Sequence, residues 1–424
     1  MLNLIGVFIA FAIIILLIRR KINFGISLMI GSLIIGIFSL NEIEPIDIFK
    51  AFIQGIIYSF EENQIETGTI ELALLMTLIF MLAKSMQETG AIKKLIDSLR
   101  SIFTKGGTLG LIPAFYGLMP VPGGALFSAP AIDEEGDKFK IDKNQKNFLN
   151  VWFRHIWFPI YPVSSAMILI TSTKFANFDI FFLILVNFPS FIASIFIGLF
   201  FLKRIIKDSK YVPKDLEKDY SGIIYLAPPI LPLIVYGILQ FFNVPQIRSF
   251  LIGVIFSIIL VYYLTDKTKK EYFNIIKKSV TYNLALAIFG IMIFREIFEM
   301  SNANILLSDI IVGSHIPTVT MIILIPLILG VLTGYNLGSV ALSYPILVPF
   351  FPVDINSITL ISYTSLIFMS SIVGYLISPI HLCNVLSSDY LKTDTTRMYK
   401  MYIPAALFVL FVQIIAVLII INVF

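Results

Sequence analysis

The chain of 424 residues is 58% hydrophobic and only 14% charged, with a mean hydropathy of +0.91, which excludes a soluble globular protein and indicates a polytopic membrane protein. Its formal charge of +4 sits in short loops between apolar runs, where Lys and Arg orient spans rather than bind nucleic acid. One cysteine, Cys383, excludes an internal disulfide and any multi-cysteine metal site, and makes redox chemistry an unattractive reading.

Residues 2–18 and 24–40 read as the first two spans, each close to the roughly 20 apolar residues that a ~30 Å hydrocarbon core requires. The first has no basic n-region and no small-residue cleavage pattern, so it reads as a retained span rather than a signal peptide. Arg19, Arg20 and Lys21 follow it and no basic residue precedes it, which places this turn in the cytoplasm and the N-terminus outside. The next loop, 41–67, carries Glu42, Glu44, Asp47, Glu61, Glu62 and Glu66 against Lys50 alone, as an external segment should. Its middle, 46–60, reads as an interfacial amphipathic helix. A third span at 68–83 returns to the cytoplasmic cluster Lys84, Lys93, Lys94, Arg100 and Lys105.

The stretch Gly117-Leu118-Met119-Pro120-Val121-Pro122-Gly123-Gly124-Ala125-Leu126-Phe127-Ser128-Ala129-Pro130 is apolar enough to enter a bilayer but too rich in Pro and Gly to cross it as a helix. Irregular backbone at membrane depth persists only where protein buries it or where it lines a wet cavity. Residues 106–132 therefore read as a re-entrant hairpin opening to the cytoplasm, with arms 108–118 and 125–132 too short to cross; the alternative is one Pro-kinked span. Residues 148–171 contain Pro159 and Pro162 and read as a broken helix, and 179–202 crosses back to Lys203, Arg204, Lys207 and Lys210.

A repeat is visible in the chain. Leu111-Ile112-Pro113 reappears as Leu324-Ile325-Pro326 and Gly117 as Gly330, both 213 positions later. Ala129-Pro130 corresponds to Tyr344-Pro345 at 215, and Tyr161-Pro162-Val163 to Ser378-Pro379-Ile380 at 217, the slow drift expected from loop insertions. The second half then has spans at 223–242, 250–264 and 284–298, a hairpin at 318–350, a broken span at 358–386 and a last span at 403–421. Five crossings per copy is odd, so the copies are inverted; Lys267, Lys269, Lys270, Lys277, Lys278, Lys392, Arg397 and Lys400 fall on the cytoplasmic side, and the second hairpin opens outside.

The expected fold is an all-α membrane protein of about ten transmembrane helices in two inverted five-span repeats, 1–210 and 223–424, joined by a cytoplasmic linker at 211–222. Both termini are then outside and the protein lies in the cytoplasmic membrane. Inverted repeats with interrupted hydrophobic segments point to a secondary transporter whose site lies at the repeat interface.

A half-helix N-terminus offers free N–H groups and partial positive charge to an anion, and freed carbonyls can take a cation such as sodium. Four breaks supply candidates: 119–124 with Pro120, Pro122, Gly123 and Gly124; 158–165 with Ser164 and Ser165; 333–339 with Tyr335, Asn336, Gly338 and Ser339; and 374–381 with Ser378 and His381. Arg154 lies in an apolar run before Pro159, where an ionised group costs ~2.5–3.5 kcal/mol at bilayer centre, so it reads either as an anion ligand or as a cation snorkelling to the interface. His155 and His381 are candidates for proton coupling. The i,i+4 pairs Lys84/Glu88 and Arg295/Glu299 read as helix-end anchors.

Gly117–Pro130, Trp152-Phe153-Arg154-His155-Ile156-Trp157 and Ser378-Pro379-Ile380-His381-Leu382 resemble an uncharacterised family of prokaryotic integral membrane proteins grouped with the ion-transporter superfamily, over nearly the whole chain. That superfamily includes carriers for gluconate, citrate, dicarboxylates and arsenite and some sodium/proton antiporters. The resemblance implies a homodimer with a fixed scaffold and a moving transport part. The tips depart from the Ser-Asn-Thr of the sodium-dicarboxylate branch, reading Pro120-Val121-Pro122-Gly123-Gly124 and Gly334-Tyr335-Asn336-Leu337-Gly338-Ser339, so substrate and coupling ion do not carry over.

No His-Glu-x-x-His, Walker A loop, Gly-x-Ser-x-Gly or zinc spacing occurs in the chain, so no enzyme and no organic cofactor is expected. The sequence reading is a carrier of a small, carboxylate-like anion coupled to sodium or protons. A cation/proton antiporter is the alternative, and an intramembrane enzyme or structural membrane protein a third.

Overall fold

The computed structural model describes residues 2–103, 106–119, 123–207, 217–307, 316–352 and 354–423. Two apolar helices, α1 (Leu2–Arg19) and α2 (Phe24–Phe38), open the chain; the Asn23 side chain caps α2 by accepting from the Gly25 and Ile26 amides. The amphipathic segment folds as α3 (Pro45–Gln54), started by Pro45 and a Glu44/Asp47 capping box. It is shorter than the sequence suggests. Residues 58–59 and 64–65 instead form a small antiparallel hairpin, closed by the Tyr58 hydroxyl donating to Asn63 Oδ1 at 2.6 Å.

The long α4 (Gly68–Glu88) leads to the amphipathic α5 (Ala91–Ile102). Next come α6 (Gly107–Gly117) and α7 (Ala125–Lys138), two short arms of 11 and 14 residues as the Pro/Gly cluster between them requires. Pro130 does not end the second arm. The buried Lys146 ammonium binds Asp133 and Asp137, one turn apart at 2.7 and 2.6 Å, and holds the stretch beyond Pro130 helical against α8 (Lys143–His155). After α8 the chain is irregular through Pro159 and Pro162, resumes as α9 (Ser165–Thr171) and crosses as α10 (Ile180–Ile206).

The second half repeats that order: α11 (Ala227–Gln240), α12 (Gln246–Leu264), the amphipathic α13 (Lys269–Ser279) and α14 (Asn283–Met300). Then follow the arms α15 (Thr318–Thr333) and α16 (Asn336–Leu347), the pair α17 (Ser357–Ile377) and α18 (Leu382–Leu391) interrupted at Ser378-Pro379, and the final α19 (Thr395–Val423). Contacts between the halves are exchanged in the same sense. α2 packs on α14 as α12 packs on α4; α3 lies on α14 as α13 lies on α4; and α7 meets α18 as α16 meets α9.

Eight stretches of the described residues are long and apolar enough to cross a bilayer, and α2, α15 and α16 are shorter apolar helices. The ten expected spans are therefore not all continuous: α2 has 15 residues, and the first broken span is divided into pieces of 13 and 7. The molecule is an all-α, multi-pass membrane protein apart from its one small hairpin. Of the expected linker, residues 211–216 lie outside the described residues, and 217–222 run into a short 3-10 turn, Ser221–Leu226, that leads to α11.

Candidate functional site

Both arm pairs turn through a glycine in the left-handed region, Gly123 at φ +69° and Gly334 at φ +60°, where a side chain would be strained. A Cβ on Gly123 would lie 2.5 Å from Leu386 Cδ1, and one on Gly334 would lie 2.6 Å from Ile380 Cγ1. Each tip is thus pressed against the second broken helix.

Tips and breaks line a partly open cavity of about 280 Å³. It is bounded by Gly123, Arg154, Phe158, Ser164, Asn336 and Cys383, among others, so that all four discontinuities reach one space. The N-terminal ends of α16 and α18 open into it, at Asn336 and at Leu382–Cys383. Neither end has a side-chain cap, and the Asn336 carboxamide oxygen, on a residue only 8% exposed, has no hydrogen-bond partner among the described residues. These are donors and a neutral polar group held out of water, the arrangement that receives an anion at a helix start.

Arg154 is 3% exposed and does not snorkel. Its guanidinium donates to the Tyr116 carbonyl at 2.6 Å and the Met119 carbonyl at 3.1 Å, satisfying the end of α6, while still bordering the cavity. Gly124 makes room for it, since a Cβ there would fall 1.9 Å from Arg154 Nη2.

Around the cavity lies a buried polar lattice. Ser128 Oγ donates to Asn150 Oδ1 at 2.5 Å, Asn150 Nδ2 donates to the Ala125 carbonyl and Ser387 Oγ, and Asn147 Nδ2 donates to Ser388 Oγ, joining α7, α8 and α18. In the other half Ser339 Oγ donates to the Pro326 carbonyl at 2.7 Å and meets Ser371 Oγ at 2.9 Å.

Of the residues singled out from sequence, Gly123, Arg154, Ser164, Ser165, Tyr335 and Asn336 border the cavity. Ser164 also caps α9, accepting from the Met167 amide. Gly338 packs on the Phe24 ring, Ser339 is turned into the lattice, and Ser378 Oγ donates to the Val331 carbonyl at the end of α15. Pro120 and Pro122 lie outside the described residues. His155 and His381 are buried just behind the cavity wall, with ring centroids 4.9 Å apart. Arg295 and Glu299 pair at 2.7 Å, whereas the Lys84 ammonium lies over the Phe127 ring, 5.9 Å from its centroid.

Two participants escaped the sequence reading. Tyr375 stacks on Phe158 with ring planes 3° apart, and Cys383 borders the cavity with its sulfur within 4.8 Å of a ring nitrogen of each of the two histidines. Nothing in the chain ties Cys383 to His155, more than 200 positions away; only its place two residues after His381 hinted at a site.

Fold and site define a multi-pass, all-helical membrane protein with interrupted helices around one interior cavity. The chain belongs to the family described as Protein of unknown function (DUF401), whose model matches residues 3–421. No curated protein matches the chain.

Proposed function

We propose that this protein is a secondary transporter of the ion-transporter type. It takes a small carboxylate-like anion into the cavity between its two tips and two breaks, and couples the movement to sodium or protons. The observation that carries the reading is the convergence at one 280 Å³ cavity of four interrupted elements, with the buried, unpartnered Asn336 oxygen at the uncapped start of α16.

The exchanged contacts of the two halves support an inverted repeat, since α7 on α18 and α16 on α9 are the same packing with the halves swapped. In that reading ten segments traverse the membrane, the first hairpin opens to the cytoplasm and the second outside, both termini lie outside, and alternating access moves the tips past the fixed spans of a homodimer. Arg154 supplies positive potential to the anion, and backbone carbonyls freed at the tips suit sodium. An antiporter would place a carboxylate in the cavity; none borders it among the described residues, and Glu299 pairs with Arg295 while Glu296 accepts from Gln54.

The test is uptake of labelled small carboxylates into proteoliposomes under a sodium or a proton gradient. Gradient-driven accumulation that Asn336→Ala abolishes in a correctly inserted protein supports the reading. Its absence for every anion tried under either gradient, or cation movement alone, overturns it.

A further inference from the structure

Behind the cavity wall, His155, His381 and Cys383 bring one ligand atom each to within 4.8 Å of one another, all three side chains buried. They come from both halves: His155 ends α8, and His381 and Cys383 begin α18. His155 Nδ1 lies 2.6 Å from the Val151 carbonyl oxygen, and since a carbonyl only accepts, Nδ1 carries the proton. The lone pair is then on Nε2, which, like both ring nitrogens of His381, has no partner at hydrogen-bond geometry among the described residues, the nearby Cys383 thiol being the group that faces the two rings. A buried ring nitrogen left unpaired costs about 1–3 kcal/mol, and here one nitrogen of each histidine lies within 4.8 Å of the same thiol sulfur.

A backbone carbonyl that fixes the tautomer of a histidine, aiming its free nitrogen at a shared point, is the outer-shell arrangement of metal-binding imidazoles. We propose that His155 Nε2, one ring nitrogen of His381 and Cys383 Sγ form a transition-metal site for a soft monovalent cation of the Cu⁺ class.

Softness and charge both select that class. One thiolate and two imidazoles suit copper or zinc rather than sodium, calcium or magnesium, which take oxygen. The thiolate carries one negative charge, so Cu⁺ leaves the site neutral in apolar surroundings, whereas Zn²⁺ would leave a net positive charge beside the buried Arg154 and would want a fourth ligand. Metal–ligand bonds of about 2.0–2.3 Å in a trigonal plane need ligand atoms roughly 3.5–4 Å apart. The present spread closes by about 1 Å, within reach of side-chain rotation beside the Ser378-Pro379 break. On binding, the Cys383 thiol loses its proton to solvent through the cavity it borders, the S–H bond being replaced by an S–Cu bond with no change of oxidation state. The ion would join the two broken helices, and the site does not depend on the transport proposal.

The experiment titrates the purified full chain with Cu⁺ against a chromophoric Cu⁺ chelator and records X-ray absorption at the copper edge. Expected are one ion per chain, a shell of one sulfur and two nitrogens, and affinity at least tenfold weaker in His155→Ala and in His381→Ala. In Cys383→Ser the sulfur scatterer should vanish. Thermal unfolding of each variant without metal verifies that it folds, and Cu⁺ should protect Cys383 of the unaltered chain from alkylation. The assignment is overturned if the histidine variants bind as tightly as the unaltered chain, which would mean capture by the thiol alone. It is equally overturned if the sulfur shell persists in Cys383→Ser, or if Zn²⁺ displaces Cu⁺ at equal concentration.

Discussion

The two halves solve one problem with different chemistry. Gly117 would place a Cβ 2.1 Å from the Arg154 carbonyl oxygen, and Gly330, 213 positions on, would place one 2.7 Å from the Tyr375 nitrogen and 2.8 Å from the Ser371 carbonyl oxygen, so the first arm of each pair rests by a glycine on a broken helix, at Arg154 of α8 and at Ser371–Tyr375 of α17. From that place Arg154 spans the first tip with a cation, donating to the carbonyls of Tyr116 and Met119. Ser371 instead meets Ser339 at 2.9 Å, and the end of α15 is capped by the Ser378 hydroxyl donating to Val331. The same backbone geometry is thus closed by a charge on one side and by neutral hydroxyls on the other. On the proposed reading, the buried Arg154 charge makes the two tips unequal towards an anion, because a charge acts over several ångströms where a hydroxyl acts only on contact.

Several substitutions break or sharpen that contrast. Arg154→Ala should have the largest effect: two buried carbonyls lose charged donors, at about 3 kcal/mol or more, and the melting temperature and anion binding should fall together. Arg154→Lys keeps the charge but not the fork, so it should recover binding more than stability. Equal stability of the Ala variant and the unaltered chain would show that the tip does not need its cation.

Asn336→Ala is the converse, expected to weaken anion binding about 10–100-fold while leaving thermal unfolding unchanged, since its Oδ1 has no partner to lose among the described residues. A drop in melting temperature like that of Arg154→Ala would make it structural instead. Gly334→Ala should cost about 1–2 kcal/mol from its positive φ, with more from the overlap with Ile380, in a denaturation assay. Ser371→Ala should cost only about 1 kcal/mol, far less than Arg154→Ala, and an equal loss would erase the distinction between the halves.

The smallest effect lies outside the spans. Lys94 of α5 donates to Asp266 after α12 at 3.0 Å, which lowers the carboxyl and raises the ammonium from their usual values. The contribution of a lowered carboxyl is present above its unfolded value and fades as pH falls through the folded one; that of a raised ammonium fades only as pH rises through its folded value. Asp266→Asn should therefore leave stability unchanged at strongly acidic pH and lower it slightly at neutral pH, as an exposed pair allows.

Much of this architecture was legible because helices in lipid cannot hide a proline or glycine cluster. The arms α6 and α7 and the breaks after α8 and α17 fall where Pro120, Pro122, Gly123, Gly124, Pro159 and Pro379 interrupt apolar runs. What stayed hidden depends on distant side chains. The helix running through Pro130 needs Lys146, the role of Arg154 needs the carbonyls of another helix, and the meeting of Cys383 with His155 needs both halves folded together. None of these leaves a periodic mark, because each is a contact between elements rather than a property of one.

The central claim is that equivalent tips enter from opposite faces to reach one cavity. Single cysteines in place of the exposed residues Lys140, at the base of the first hairpin, and Asp354, at the base of the second, in a Cys383→Ser background, test it with a membrane-impermeant thiol reagent on intact and opened vesicles. Labelling of the two positions from opposite faces is the predicted result, and labelling of both from the same face would contradict it.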